Sequence, residues 1–523
     1  MSKANEAVNA VGRKVPLQID GRRYRPFSGA FAEPPKEDKR RVGPRLGTIL
    51  HPGEDKVVAT LRKAIERTEL KDGMTVSFHH HFREGDKVLN MVMAEIAAMG
   101  FKNMTIAPSS LFPVHEPLLE HIKNGVVTCI EGGSAQGKIG RAISRGVMER
   151  PMVIRSHGGR VRAIERGDLH IDAAFIGAPC ADAIGNCNGV KGPSACGPLA
   201  YALADAIYSE KTVAVTDYLE ETPVVPISIT QEFVGTVVKV DNIGDPAKIV
   251  STSLRITRDT VNLGIARNAV RVIEASEVFR NGIRFQTGAG GTSLAVTQFL
   301  GERMRERGIV GSFGMGGTTE GLVRLLEQGL LKKILTVQAF DQYAIQSLLN
   351  DVNHIEIGAG FYANPHNRGT AVNLLDAVVL GATEIDVHFN VNVNTHSDGL
   401  LQYATGGHAD TAAGAKLTII TTPLIRGRIP VVVDDVVVVS TPGESVDVLV
   451  TDYGIAVNPR RPDLIDQMKA ANVPLKTIEE LRDLAYSITG KPQKPVFTDK
   501  VVALIEYRDG TLIDVLRQIA PER

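Results

Sequence analysis

The sequence predicts an α/β protein of two successive domains, each with a mostly parallel sheet and some antiparallel strands, and three observations carry that expectation. From Met74 onward, short apolar runs alternate with helical patterns: MTVSF, DKVLNMVMAEIAAMG, MTIAP, HEPLLEHIKNG, VVTCIEGG and GKIGRAISRGV. Strand, helix and strand repeated in this way imply parallel strands covered on both faces. The alternation restarts at Ile283 with IRFQTGAGG, TSLAVTQFLGERMRERG, IVGSFGMGG, TTEGLVRLLEQG and LLKKILTVQAF. Each half then turns β-rich, at 224–240 in the first and at EIDVHFNVNVN, AKLTIITTPL and IPVVVDDVVVVS in the second, where antiparallel strands are expected.

The elements follow in order. Residues 1–50 are rich in Arg, Lys, Pro and Gly, with EPPKEDKRRVGPR at 33–45 and no sustained period, so they predict an extended arm or docking segment. A chain of 523 residues is too long for one core. The helical segment RDTVNLGIARNAVRVIEASEVF marks the boundary between a first α/β domain at 51–270 and a second at 271–523.

Composition narrows the function. Lysine plus arginine equals aspartate plus glutamate, 59 against 59, which gives no electrostatic reason for a nucleic acid or an anionic membrane as partner. The most apolar stretch, 429–440, is interrupted by Asp434 and Asp435 and is shorter than the ~20 residues that span a bilayer. The N-terminus, MSKANEAVNAVGRKVPLQIDGRRYRP, lacks the apolar core of a secretory signal, so a cytoplasmic metabolic protein is expected. Cys129, Cys180, Cys187 and Cys196 form no CxxC pair and read as reduced thiols, with no metal site expected.

In open α/β sheets, ligands bind outside the carboxyl ends of strands, where glycine turns expose backbone amides. Thr287-Gly288-Ala289-Gly290-Gly291-Thr292-Ser293 lies between a strand and an amphipathic helix, and fits an oxyanion or carboxylate site as well as a tight structural turn. It is not a dinucleotide fingerprint, because Ser293 stands where GxGxxG requires its third glycine. Residues 132–139, GGSAQGKI, carry the spacing of a phosphate loop, but Ile139 stands where magnesium needs Ser or Thr, which excludes a nucleoside triphosphatase.

His79-His80-His81-Phe82-Arg83-Glu84-Gly85-Asp86 ends the first strand of the alternation. Neighbours on a strand point to opposite faces, so only His79 and His81 face together. Arg83 suits a bidentate grip on a carboxylate, and the loop is expected to bind a polycarboxylate substrate, with a solvated loop or domain contact as the plain alternative. The small residues of Gly406-Gly407-His408-Ala409-Asp410-Thr411-Ala412-Ala413-Gly414-Ala415-Lys416 predict close backbone approach by something flat or extended. Ala181-Asp182-Ala183-Ile184-Gly185-Asn186 and residues 445–454, SVDVLVTDYG, read as turns and buried strand ends.

Taken together, TGAGGTSLAV, GGHADTAAGAK, TPGESVDVLVTDYGIAVNP and ADAIGN resemble the coenzyme A transferase superfamily over most of 55–520. The resemblance implies α/β halves of the ribose-5-phosphate isomerase type. Members of that superfamily commonly carry a nucleophilic glutamate just after the second-half oxyanion helix. Here that position falls near Gly316, in Gly314-Met315-Gly316-Gly317; Glu320 is close by but starts a predicted helix, where an acid is favoured for helix reasons alone. Lack of the glutamate, the HHHFREGD segment and the length are similar to the citrate lyase alpha-subunit family.

That resemblance implies exchange of acetyl for citryl on a thioester through a mixed anhydride, without a covalent enzyme intermediate. It implies no tightly bound cofactor. The thioester would be carried on a phosphoribosyl-dephospho-CoA arm of the acyl carrier protein (gamma) subunit, with acetyl-CoA as a possible substitute, and the citryl lyase (beta) subunit would be a second partner in a homo-oligomeric complex. Gly288, Ala289, Gly290 and Gly291 would hold the oxyanion. His79, His81 and Arg83 would bind citrate, and Gly406, Gly407, His408 and Asp410 would line the thioester arm. The nearest rival is a coenzyme A transferase for another short acid, using Glu320 and free coenzyme A. A non-catalytic effector-binding module would want an attached DNA-binding domain, which Pro- and Gly-rich residues 1–50 do not form, and a bare scaffold leaves the glycine loops unexplained.

Overall fold

The computed structural model describes residues 6–33, 54–249, 257–288 and 290–521. The Val- and Ile-rich runs form two large sheets whose strands are buried on both faces, as parallel strands between helices must be. In the first sheet, Thr75–Phe78 is central. Met104–Pro108, Val127–Gly132 and Met152–Arg155 extend it to one side, and Ala173–Gly177, Lys211–Thr216, Thr236–Lys239 and Val57–Val58 to the other, all parallel.

The second sheet repeats this plan. Arg284–Thr287 is central, flanked by Phe313–Thr318, Ile334–Ala339 and His354–Glu356 on one side and by Ala377–Gly381, Leu417–Thr421 and Val448–Val450 on the other, again parallel. Local chemistry repeats as well. Asp172 accepts the amide of Thr75 at 2.8 Å, and Asp376 accepts that of Arg284 at 3.0 Å, each at the start of its central strand. Each half also carries a small sheet turned by an aspartate and an asparagine. Asp182 accepts from the Gly185 and Asn186 amides, and Asp386 from those of His388 and Asn390.

Antiparallel pairing is narrower than the sequence reading had it. Glu384–Asp386 with Val391–Asn392 is antiparallel, but AKLTIITTPL supplies the parallel strand Leu417–Thr421. The helix His408–Gly414 before it provides the crossover that a parallel strand requires. At the other end of the chain, Phe497–Glu506 pairs parallel with Met152–Arg155 and antiparallel with Leu512–Ile519, so the last strands extend the first sheet. Buried Arg155 and Arg162 both bond Glu506 across this junction. The first described residues fold onto the same hairpin: Asn9 donates to the carbonyls of Leu512 and Ile513, and Phe27 packs on Tyr507 with ring centroids 4.8 Å apart. Residues 34–50 of the expected arm lie outside the described residues.

All four cysteines are buried free thiols. Among the described residues no helix is long and apolar enough to cross a membrane.

Candidate active site

The carboxyl ends of the two sheets face each other, which brings the glycine turns of one half against the histidine loop of the other. Gln338, on Ile334–Ala339, donates to the His80 carbonyl at 3.3 Å, and the Ala359 amide donates to the Ala200 carbonyl at 3.1 Å.

The three histidines follow directly on the end of the central strand Thr75–Phe78. His79 and His81 stack on each other with centroids 5.8 Å apart. His80 has its Nδ1 2.6 Å from Ser109 Oγ and its ring against Tyr201 at 4.5 Å and His157 at 5.5 Å, and His81 meets the same Tyr201 ring at 5.8 Å. Burial, reinforced by neighbouring histidines, holds His80 and His81 well below the usual histidine pKa, and burial with Arg160 brings His157 to about 4. These rings are therefore neutral donors and acceptors at pH 7. Behind them Arg160 grips Asp205 through two 2.7 Å bonds, and His79 Nε2 lies 3.2 Å from the same carboxylate but off hydrogen-bond alignment. Burial pushes the Asp205 carboxyl up, yet Arg160 and His79 outweigh it and hold the group far below the ordinary carboxylate range.

Arg83 follows in the short turn Arg83–Gly85, with φ +52°. Its guanidinium lies 5.1 Å from the ring centroids of both Phe112 and Phe340. Its Nε is buried without a hydrogen-bond partner, as is the Nε2 of His81, and no carboxylate among the described residues pairs with this arginine. Burial depresses its pKa, offset in part by Tyr201 and Glu84. A partly buried guanidinium with an unpartnered Nε is costly unless an acceptor meets it, so the arrangement fits a carboxylate ligand.

In the second half, the Gly288 amide donates to the Val379 carbonyl at 2.9 Å, so it continues the sheet rather than facing a ligand. Ala289 lies outside the described residues. Gly290 is the N-cap of the 17-residue helix Gly291–Arg307, and Gly291 its first residue. Amides of a first helical turn have no intrahelical acceptor, so the oxyanion expectation narrows to Gly290 and Gly291.

The position where a nucleophilic glutamate was sought is closed by packing. A Cβ on Gly316, at φ +103°, would lie 2.7 Å from the Gln286 amide carbon, and one on Gly317 would lie 2.1 Å from the Phe340 ring. Glu320 is exposed at the start of Glu320–Glu327 and bonds Arg324 at 3.0 and 3.2 Å, an ordinary helix-surface pair.

The loop at 405–410 packs against the first half. The Gly406 carbonyl accepts the His157 amide at 2.9 Å. A Cβ on Gly407 would lie 2.4 Å from Tyr362 Oη, and that hydroxyl pairs with Gln286 at 3.0 Å. His408 uses both ring nitrogens structurally, Nδ1 with Thr441 Oγ1 at 2.7 Å and Nε2 with the Gly381 carbonyl at 2.9 Å; burial lowers its pKa to about 4 against the opposing effect of that carbonyl. Asp410 accepts from Ser156 Oγ at 2.9 Å and the Gly158 amide at 3.0 Å, so it caps the helix His157–Arg166 from the opposite half. His408 and Asp410 thus hold the glycine loop in place, while Gly406 and Gly407 form its inner edge.

Sequence reasoning missed Tyr201, His157, Tyr362, Gln286 and Phe340. The available signal was SHGGR at 156–160, a glycine pair following a strand. A Cβ on Gly158 would lie 2.0 Å from the Ala363 carbonyl, so this helix start is one place where the halves touch backbone to backbone.

Two α/β halves of one topology, closing carboxyl end to carboxyl end on glycine turns and a partly buried arginine, define a transferase of the coenzyme A transferase type. The chain belongs to the citrate lyase alpha-subunit family, whose pattern (citrate lyase, alpha subunit) matches residues 54–519. It is 51% identical over 494 residues to the citrate lyase alpha chain of Klebsiella pneumoniae, covering 94% of this chain and 96% of that one. It is 52% identical over 464 residues to that of Escherichia coli strain K12, covering 89% and 91%. The crystal structure of the citrate lyase alpha subunit of Streptococcus mutans in complex with citrate superimposes with a TM-score of 0.94 at 51% identity, covering 98% of this chain and 100% of that one. A malonate decarboxylase alpha subunit from Acinetobacter baumannii shares the fold, with a TM-score of 0.62 at 15% identity over 82% of this chain and 87% of its own. The protein is accordingly a transferase component of a citrate lyase complex.

Proposed function

We propose that this chain exchanges acetyl for citryl on a thioester, consuming citrate and releasing acetate, with no covalent enzyme intermediate. The observation that carries the reading is Arg83, a partly buried guanidinium at the junction of the halves whose Nε is buried without a partner and which pairs with no carboxylate among the described residues. Citrate supplies that carboxylate, in keeping with the citrate held by the Streptococcus mutans relative. His81 and His79 stack on each other beside it, and His81 is a neutral hydrogen-bonding group.

In the first step a citrate carboxylate oxygen attacks the acetyl thioester carbonyl. The C–S bond breaks and thiolate leaves, forming acetyl-citryl anhydride. Thiolate then attacks the citryl carbonyl, the C–O bond to acetate breaks, and citryl thioester and acetate remain, with no net proton. Positioning and oxyanion stabilisation by the Gly290 and Gly291 amides suffice for such a sequence. The packing around Gly316 and Gly317 and the exposed pairing of Glu320 favour this route over a glutamyl thioester.

On the same reading, the thioester sits on the phosphoribosyl-dephospho-CoA arm of an acyl carrier protein (gamma) subunit and passes along the Gly406–Gly407 edge, with acetyl-CoA as a substitute in vitro and no cofactor held by this chain. The citryl product goes to a citryl lyase (beta) subunit in a cytoplasmic, homo-oligomeric assembly. Steady-state kinetics of Arg83→Ala test the core of the proposal. Citrate KM should rise ~100-fold or more, the scale of a lost charge-assisted carboxylate pair; an unchanged citrate KM would remove Arg83 from the site.

A further inference from the structure

The glycine pair at 316–317 has a second consequence. Gly317 is the position at which a Cβ would fall 2.1 Å from the Phe340 ring, so only glycine leaves that ring where it stands. Phe340 in turn lies 5.1 Å from the Arg83 guanidinium, on the same arginine that Phe112 contacts at 5.1 Å. One ring comes from each half, because Phe340 follows the second-half strand Ile334–Ala339 and Phe112 precedes the first-half turn Pro113–His115. Next to Phe340, Gln338 bonds the His80 carbonyl at 3.3 Å, which ties this strand to the histidine loop. Arg83 itself has a positive φ of +52°, so its direction comes from what surrounds it rather than from local backbone preference.

We propose that Phe340 is a positioning residue for substrate binding. With Phe112 it clamps the Arg83 guanidinium between aromatic faces, and Gly317 is the steric requirement for that clamp. The clamp solves a specific problem. An arginine that must receive a substrate carboxylate cannot be oriented by a carboxylate of the protein, since that group would compete for the same donors. Aromatic faces attract the cation through the ring quadrupole, stack along the flat face of the guanidinium and leave its N–H edges directed outward. The strand Phe313–Thr318 therefore contributes to binding citrate through Gly317. This inference rests on the assignment of citrate to Arg83.

The test compares Phe340→Leu, which keeps an apolar side chain but loses the π face, with Phe340→Tyr, which keeps it, in the assembled enzyme with acetyl thioester and citrate. Phe340→Leu should raise citrate KM about tenfold, with kcat within about twofold, because removing binding that is equal in ground and transition states leaves kcat unchanged. Phe340→Tyr should restore KM to within about twofold of the parent. Gly317→Ala, which displaces the ring without changing it, should reproduce the KM defect in the parent and add little in the Phe340→Leu background. The arginine provides the decisive control: in Arg83→Ala, adding Phe340→Leu should leave KM unchanged. Multiplicative KM effects in that double variant, or a Phe340→Leu defect in kcat that Phe340→Tyr does not repair, would show a merely structural ring and overturn the inference. If Phe340→Leu has no effect while Arg83→Ala still raises citrate KM, the clamp is wrong and the arginine site stands. If Arg83→Ala itself leaves KM unchanged, the underlying assignment fails first.

Discussion

His408 should make the stability of this protein depend on pH below neutrality, and the size of the effect can be worked out from its surroundings. The ring is 8% exposed and bonds Thr441 and the Gly381 carbonyl at once. The Gly381 carbonyl can only accept, so Nε2 carries a proton, while Thr441 Oγ1 is the hydroxyl partner of Nδ1. Burial holds its folded pKa at about 4, whereas an unfolded histidine titrates near ~6.5. Since the folded value is the lower one, the contribution is fully present above pH ~6.5 and is lost as pH falls toward 4. Linkage between those two values gives a loss of about 2 kcal/mol at pH 5 relative to pH 8. His408→Gln keeps a donor for the Gly381 carbonyl but does not titrate. It should be less stable than the parent by ~1 kcal/mol at pH 8, for the lost Thr441 bond, and the difference should shrink or reverse by pH 5. Urea unfolding followed by circular dichroism at the two pH values measures this. Buried His80, His81 and His157 titrate in both proteins and cancel in the comparison. Parallel curves for parent and variant from pH 8 to pH 5 would refute the reasoning.

Other outcomes follow from the same geometry. Gly291→Pro places proline at the first helical position after an extended residue, Gly290 at φ −77° and ψ 155°, so thermal stability should hold while the transferase kcat falls by ~100-fold through loss of one oxyanion amide; full activity in this variant would remove the helix start from the mechanism. Glu320→Gln should leave the transfer rate within about twofold, since this glutamate only pairs with Arg324 on an exposed helix, and hydroxylamine should trap no thioester on it. Asp410→Ala should cost ~3–5 kcal/mol in urea unfolding, because it strips the buried Gly158 amide and Ser156 hydroxyl of their acceptor and leaves Arg508 beside an empty buried position; a loss below ~1 kcal/mol would contradict the structural role.

Much of the fold was legible in the sequence because its signals are local. Many of the parallel strands announce themselves as apolar runs, several before a glycine turn, and the restart at Ile283 gives the second sheet, whose central strand is Arg284–Thr287. Pairing partners were not legible. FTDKVVALIE reads as a strand, but nothing in it says that it will lie beside Met152–Arg155, some 350 positions away, since that choice is made by Arg155, Arg162 and Glu506 meeting in space. In the site, the expectation that His79 and His81 face together agrees with the stack between them, although both lie past the end of the strand and His81 shares the Tyr201 ring with His80. His408 and Asp410 stood out among small residues, yet their polar atoms are engaged by Thr441, Gly381, Ser156 and Gly158, partners that only the folded chain brings close. Phe340 was invisible for the opposite reason: a lone phenylalanine after an apolar strand looks like core, and its contact with Arg83 crosses from one half to the other.

The most direct test of the account is intact-mass analysis of the purified chain during turnover with an acetyl thioester and citrate, with the small-molecule and carrier products followed in parallel. The account predicts citryl thioester and free acetate with the protein mass unchanged at every time point. A coenzyme A adduct on the protein, released by hydroxylamine, or faster transfer to a monocarboxylate than to citrate, would contradict it.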